Sequence, residues 1–150
     1  MLAAVPKGRN MRLLILAAAL VAVVATPSLS ESGHFLGLTV QSGETWIFRI
    51  DQGEPVDARK IDGSATPGSG ELMVTLKPQM GAMMIVTNNT NKFYNYHAFL
   101  TMQPGSEGKA TSVCTVANGG RMAIENWPYA VPAIRIADFR ETDGNHISCE

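Results

Sequence analysis

The chain has 150 residues, and its 12 Lys and Arg against 13 Asp and Glu leave a formal charge of −1. That balance carries no sequence-wide attraction to nucleic acid or to an anionic membrane. An apolar content of 45% excludes a largely disordered chain and leaves disorder to the short stretches rich in Gly, Ser and Pro.

Lys7, Arg9 and Arg12 precede an unbroken apolar run from Leu13 to Ala25, and Thr26-Pro27-Ser28-Leu29-Ser30 follows it. This order of charged, apolar and small-residue segments predicts a signal peptide over 1–30, cleaved after Ser30, with Met11 as an alternative start. As a helix the run would rise only about 20 Å, against about 30 Å of bilayer hydrocarbon, so no membrane anchor is expected after cleavage. The three basic residues leave with the leader, so nine bases face thirteen acids and the net charge falls to −4. Residues 31–150 then suffice for a single domain with its own core, exported to the periplasm or beyond the cell.

Short segments of period two, separated by turn residues, run through this domain. Phe35 to Val40 reads as the first strand. In Thr45 to Ile50, Trp46, Phe48 and Ile50 share one face, which should be core, while Thr45, Ile47 and Arg49 share the other. Val56 to Ile61 is a more polar strand, and Asp62 to Gly70 is expected to be a flexible surface loop. Leu72, Val74 and Leu76 mark the buried side of a strand that Pro78 ends by lacking a backbone donor. Ala82 to Thr87 follows. Asn88-Asn89-Thr90-Asn91-Lys92 then predicts a hairpin into the strand Phe93 to Met102, with the Asn88 sequon accessible to a glycosylating host.

In that long strand Tyr94, Tyr96, Ala98, Leu100 and Met102 point one way, and Phe93, Asn95, His97, Phe99 and Thr101 the other. After a loop over 103–109, Thr111 to Ala117 carries Cys114, and Asn118-Gly119-Gly120 turns the chain into Arg121 to Asn126. Pro128 and Pro132 bracket a corner, Ala133 to Phe139 is the last substantial strand, and the tail from Asn145 to Cys149 can lie beside Cys114. Eight or nine short antiparallel strands without a helix predict an all-β fold, an immunoglobulin-like or related Greek-key β-sandwich, with a small barrel as the alternative. Cys114 and Cys149 are the only cysteines, and in an oxidising compartment they are expected to pair.

No catalytic motif stands out. Gly-x-Ser-x-Gly, His-Glu-x-x-His and a strand-borne Gly-x-Gly-x-x-Gly are all missing, and Gly108-Lys109 has neither the upstream glycine nor the following helix of a phosphate loop. His97 is a candidate base or ligand at a pocket mouth, set against an ordinary outward-facing histidine. Met80, Met83 and Met84 form a thioether cluster suited to Cu(I), to which His34 near the new amino terminus or His97 would add a nitrogen. Packing is the competing role for these methionines, because adjacent Met83 and Met84 must face opposite ways on a strand. Trp127-Pro128-Tyr129 offers rigid contact area on a proline-bent corner.

The expectation is therefore a non-enzymatic, exported binding domain without a cofactor, meeting a protein or small ligand of the cell envelope through Trp127, Tyr129 or His97. Copper handling through the methionines is the first alternative, and a hydrolase with an unfamiliar site the second.

Overall fold

The computed structural model of the protein describes residues 35–145 and 147–149. The predicted leader, the start at Met11, His34 and His146 lie outside the described residues. Nine antiparallel strands and no helix make up the described chain: β1 (Leu38–Gln41), β2 (Thr45–Asp51), β3 (Glu54–Ile61), β4 (Glu71–Lys77), β5 (Ala82–Asn89), β6 (Phe93–Thr101), β7 (Lys109–Thr111), β8 (Arg121–Trp127) and β9 (Ala133–Thr142). They form a four-stranded sheet in the order β1-β9-β6-β7 and a five-stranded sheet in the order β3-β2-β4-β5-β8.

Alternation along each strand builds one core shared by both sheets. Phe48, Leu72, Val74, Leu76, Met84 and Val86 come from the five-stranded sheet, and Tyr94, Tyr96, Leu100, Ile134, Ile136 and Phe139 from the four-stranded one. Phe139 joins the two, its ring 5.7 Å from Phe48 across the layer and stacked on Tyr96 at 5.2 Å. Each such side chain contributes about 1.5–3 kcal/mol when fully buried, so this two-layer, sandwich-like contact is the main source of stability. Trp46 and Ile50 pack against it beside Phe48, as the alternation of β2 requires.

Three local expectations are corrected. The turn over 88–92 closes no hairpin: β5 pairs with β4 and β8, and β6 with β7 and β9, so this connection arches from one sheet to the other. Both flanking strands present an apolar face, and burying both faces in one core requires them to stack face to face instead of pairing edge to edge. The Asn88 sequon is inaccessible, because Asn88 is fully buried. Its Nδ2 donates to Lys92 O at 2.7 Å, while its Oδ1 accepts from Thr90 N at 3.0 Å and Thr90 Oγ1 at 2.8 Å.

The loop after β3 runs exposed over 62–66, as expected, but is anchored at its far end. Pro67 is buried, Asn89 Nδ2 donates to Pro67 O at 2.9 Å, and Gly68 N donates to Glu71 Oε2 at 2.8 Å. It lies on the outer face of the five-stranded sheet, where Ile47 is buried between its register partners Arg59 and Met73. Glu71 there accepts both Arg59 guanidinium nitrogens at 2.8 and 2.9 Å. These bonds from Arg59 and from the Gly68 N–H hold its carboxyl well below the ordinary range, at about 2.

Candidate functional site

The chain brings two of the three methionines and one of the two corner aromatics to a single place. β4 stops at Lys77 because Pro78 follows, and the turn over 78–81 reverses the chain into β5. Met80 sits there with a positive φ of 52°, followed by Gly81 at 112°. A side chain at position 81 would collide with Trp127 O at 2.2 Å, so the glycine lets this turn lie directly against the end of β8. The register of β5 with β8 sets Ala82 beside Trp127 and Met83 beside Asn126.

The result is an open cleft of about 430 Å³ lined by Gln79, Met80, Met83, Asn126, Trp127 and Pro128. Met80 is 94% exposed, far beyond what a packing methionine would show. Trp127 is mostly buried, and its Nε1 donates to Thr111 Oγ1 at 3.0 Å, which fixes the ring plane. Tyr129, half exposed, follows at the rim beyond Pro128. Two thioethers, an indole and a proline ring make an apolar surface that adapts to shape, and two carboxamides at its margin can donate and accept. No lining residue is ionisable, so nothing in the cleft can give or take a proton near neutral pH.

The other candidates lie elsewhere. Met84 is fully buried in the core, on the face of β5 opposite Met83, and is no partner for the other two thioethers. His97 is on the outer face of the other sheet. Its Nδ1 lies 3.1 Å from Asp138 Oδ2 and its Nε2 2.8 Å from Arg140 Nη2. Both ring nitrogens are thus engaged by neighbouring side chains. Asp138 reaches the histidine from a bulge in β9, where pairing slips between Asn95 and His97 and Asp138 takes a φ of 54°. Among the described residues no group of three or more His, Cys, Asp or Glu could hold a metal ion.

Cys114 and Cys149 are joined by a disulfide. Thr115 N donates to Ser148 O at 2.8 Å beside it, so the tail lies along the segment after β7.

Gln79 and Asn126 were not singled out by sequence reasoning. The one local signal was adjacency, to Met80 and to Trp127, because their meeting depends on β5 pairing with a strand more than thirty positions later. Arg135 was missed as well. Only 7% exposed, it donates to Leu36 O at 2.7 Å and to Glu107 O at 3.0 Å, and its guanidinium lies 4.0 Å from the centre of the Phe99 ring. The chain matches no protein family, no curated protein and no solved structure.

Proposed function

We propose that this is an exported, non-enzymatic binding domain whose cleft at the β4–β5 turn takes an apolar side chain from an extended segment of an envelope partner. The exposure of Met80 beside the fixed ring of Trp127 carries this reading. A thioether held in water against an indole leaves apolar area unburied until a ligand covers it. The Gln79 and Asn126 carboxamides are suited to the peptide groups on either side of that side chain.

The leader-like start and the Cys114–Cys149 bridge support export. β9 returns beside β6 only after β7 and β8 have been laid down, a return of Greek-key type that supports assignment to the immunoglobulin-like class of sandwiches.

The test is a photoreactive residue placed at position 80 and, as a control, at Arg140 on the other sheet. A discrete protein adduct from position 80 and none from 140 is expected. No adduct at 80, or equal adducts at both sites, overturns the reading.

Copper handling is the second reading, favoured by two thioethers in one cleft. Cu(I) is matched to such soft donors, with an amide oxygen or an incoming ligand completing the set. Competition against a chromophoric Cu(I) chelator decides it: binding lost on Met80→Leu with Met83→Leu supports the site, and binding unchanged by both removes it.

A further inference from the structure

Each sheet ends in two outer strands, and three of the four are built to refuse another strand. β1 has four residues and β7 three. β3 carries Pro55, slips register against β2 between Ile47 and Arg49, and exposes Asp57, Arg59 and Lys60. Shortness, proline, irregular register and charge are the usual means of blunting an open sheet edge. β8 is neither short nor irregular and carries no proline, and its two charges, Arg121 and Glu125, are of opposite sign. Its seven residues run in unbroken register with β5 from Arg121 to Trp127, and Met122 and Ile124 are 63% and 52% exposed on its outer side.

We propose that β8 pairs antiparallel with β8 of a second copy about a two-fold axis, joining the two five-stranded sheets into one continuous sheet. The chemistry of the strand selects that occupant, because Arg121-Met122-Ala123-Ile124-Glu125 is complementary to itself about Ala123. With the axis at Ala123, Arg121 of each copy stands opposite Glu125 of the other, and Met122 opposite Ile124. Opposite charges and apolar pairs at directly facing positions both favour pairing. Centring the axis one residue later sets Arg121 against Trp127 and Ala123 against Glu125, and both matches are lost.

Side-chain direction agrees with the register. Arg121, Ala123 and Glu125 share the face turned toward the other sheet, and Met122 and Ile124 share the outer face. Cys114 N donates to Glu125 Oε1 at 2.7 Å, so one charge of each pair is already held in position. On the outer face Ile124 lies in register beside Ile85, so the joined sheets extend an apolar strip through both copies. The facing pairs of this interface lie outside the cleft, whose share of β8 is Asn126 and Trp127.

Sedimentation equilibrium of the purified protein, disulfide intact, tests the proposal. The unaltered chain should form dimers. Arg121→Glu alone and Glu125→Arg alone should each weaken the dimer about tenfold or more, because two facing pairs per dimer become like-charged. Mixing the two variants should restore dimers, since every altered charge then meets its opposite. Ile124→Lys, which leaves both charges and the Cys114 contact in place, should also dissociate the dimer while the far-ultraviolet circular dichroism stays that of the folded chain. A monomer at every concentration overturns the proposal, as do charge variants that dimerise normally or a mixture that fails to recover. A monomer whose β8 instead captures a different extended peptide assigns the edge to another partner and overturns it equally.

Discussion

Asn88 donates its side-chain amide to the carbonyl of Lys92 at 2.7 Å, and that bond closes the arch carrying the chain from one sheet to the other. The same amide nitrogen also points at Val116 O, 3.4 Å away, so the arch is tied to the segment leading to β8 as well. Because Asn88 is fully buried, truncation opens space in the arch and takes the acceptor from Thr90 N, while Lys92 O keeps Thr90 Oγ1 and Val116 O keeps Tyr94 N as donors. Asn88→Ala should cost about 1–3 kcal/mol in urea unfolding, since the bonds of a buried side chain are lost and Thr90 N is left without its acceptor. A loss within the error of the measurement would show that the arch is held by its apolar flanks alone.

Acid should act through Glu71. Its carboxyl has an ordinary value of 4.5 and is held at about 2 in the folded protein by the bonds from Arg59 and from the Gly68 N–H. Above 4.5 the group is ionised in both the folded and the unfolded chain, and its full stabilisation is present. As the pH falls from 4.5 toward about 2 the unfolded chain takes up the proton first, so stability drains away across that window. Glu71→Gln should flatten this part of the stability curve and cost about 1–2 kcal/mol at neutral pH. High salt should narrow the difference, because Arg59 is half exposed. A variant with the same acid slope as the parent would refute the assignment.

Alternation made the strands legible: the inward set Tyr94, Tyr96, Ala98 and Leu100 and the inward Leu72, Val74 and Leu76 were readable directly, because a two-residue period fixes which side chains share a face. Strand pairing was not legible. The asparagine-rich run at 88–92 has the composition of a hairpin turn and of an arch alike, and only the need to bury two apolar faces in one core distinguishes them. The cleft was half legible for the same reason. Met80 and Trp127 each stood out by type, but Gly81 had to admit Trp127 O before they could meet, and no local pattern announces that approach. Arg135 was opaque, since its acceptors are main-chain carbonyls and carry no side-chain signature.

The disulfide should govern stability more than recognition. Cys114 and Cys149 are 35 positions apart, and neither lines the cleft. The chain-entropy account gives about 3–4 kcal/mol for a loop of this size. Cys114→Ser with Cys149→Ser should therefore fold, melt clearly lower, and keep whatever cleft binding the parent has. Loss of binding in a variant that remains folded at the assay temperature would contradict this separation.

Tyr96 should tolerate loss of its hydroxyl. The ring is 3% exposed and stacked on Phe139, and its oxygen has no hydrogen-bond partner among the described residues. Burial, reinforced by the charge of Glu125, pushes its ionisation far above the ordinary range. Tyr96→Phe keeps the stack and removes an unsatisfied buried group, so stability should stay level or rise by about 1 kcal/mol. A drop of that size in thermal unfolding would mean that the hydroxyl has a partner in solution.

Arg135 should behave as a clamp that only a guanidinium can close. Its donors hold Leu36 O ahead of β1 and Glu107 O ahead of β7, and its plane lies over Phe99 while Phe35 stands 5.5 Å away. A lysine retains the charge but lacks the planar fork and the stacking face, so it cannot serve both carbonyls and the ring together. Arg135→Lys should cost about 1–3 kcal/mol, and Arg135→Met at least as much, since both carbonyls then lose their donor. The loss should be local before it is global. A glutamate-specific protease should cut at Glu107 faster in both variants under conditions where the parent resists. If Arg135→Lys resists as the parent does and unfolds at the parent's midpoint, the charge alone suffices and the fork geometry is incidental.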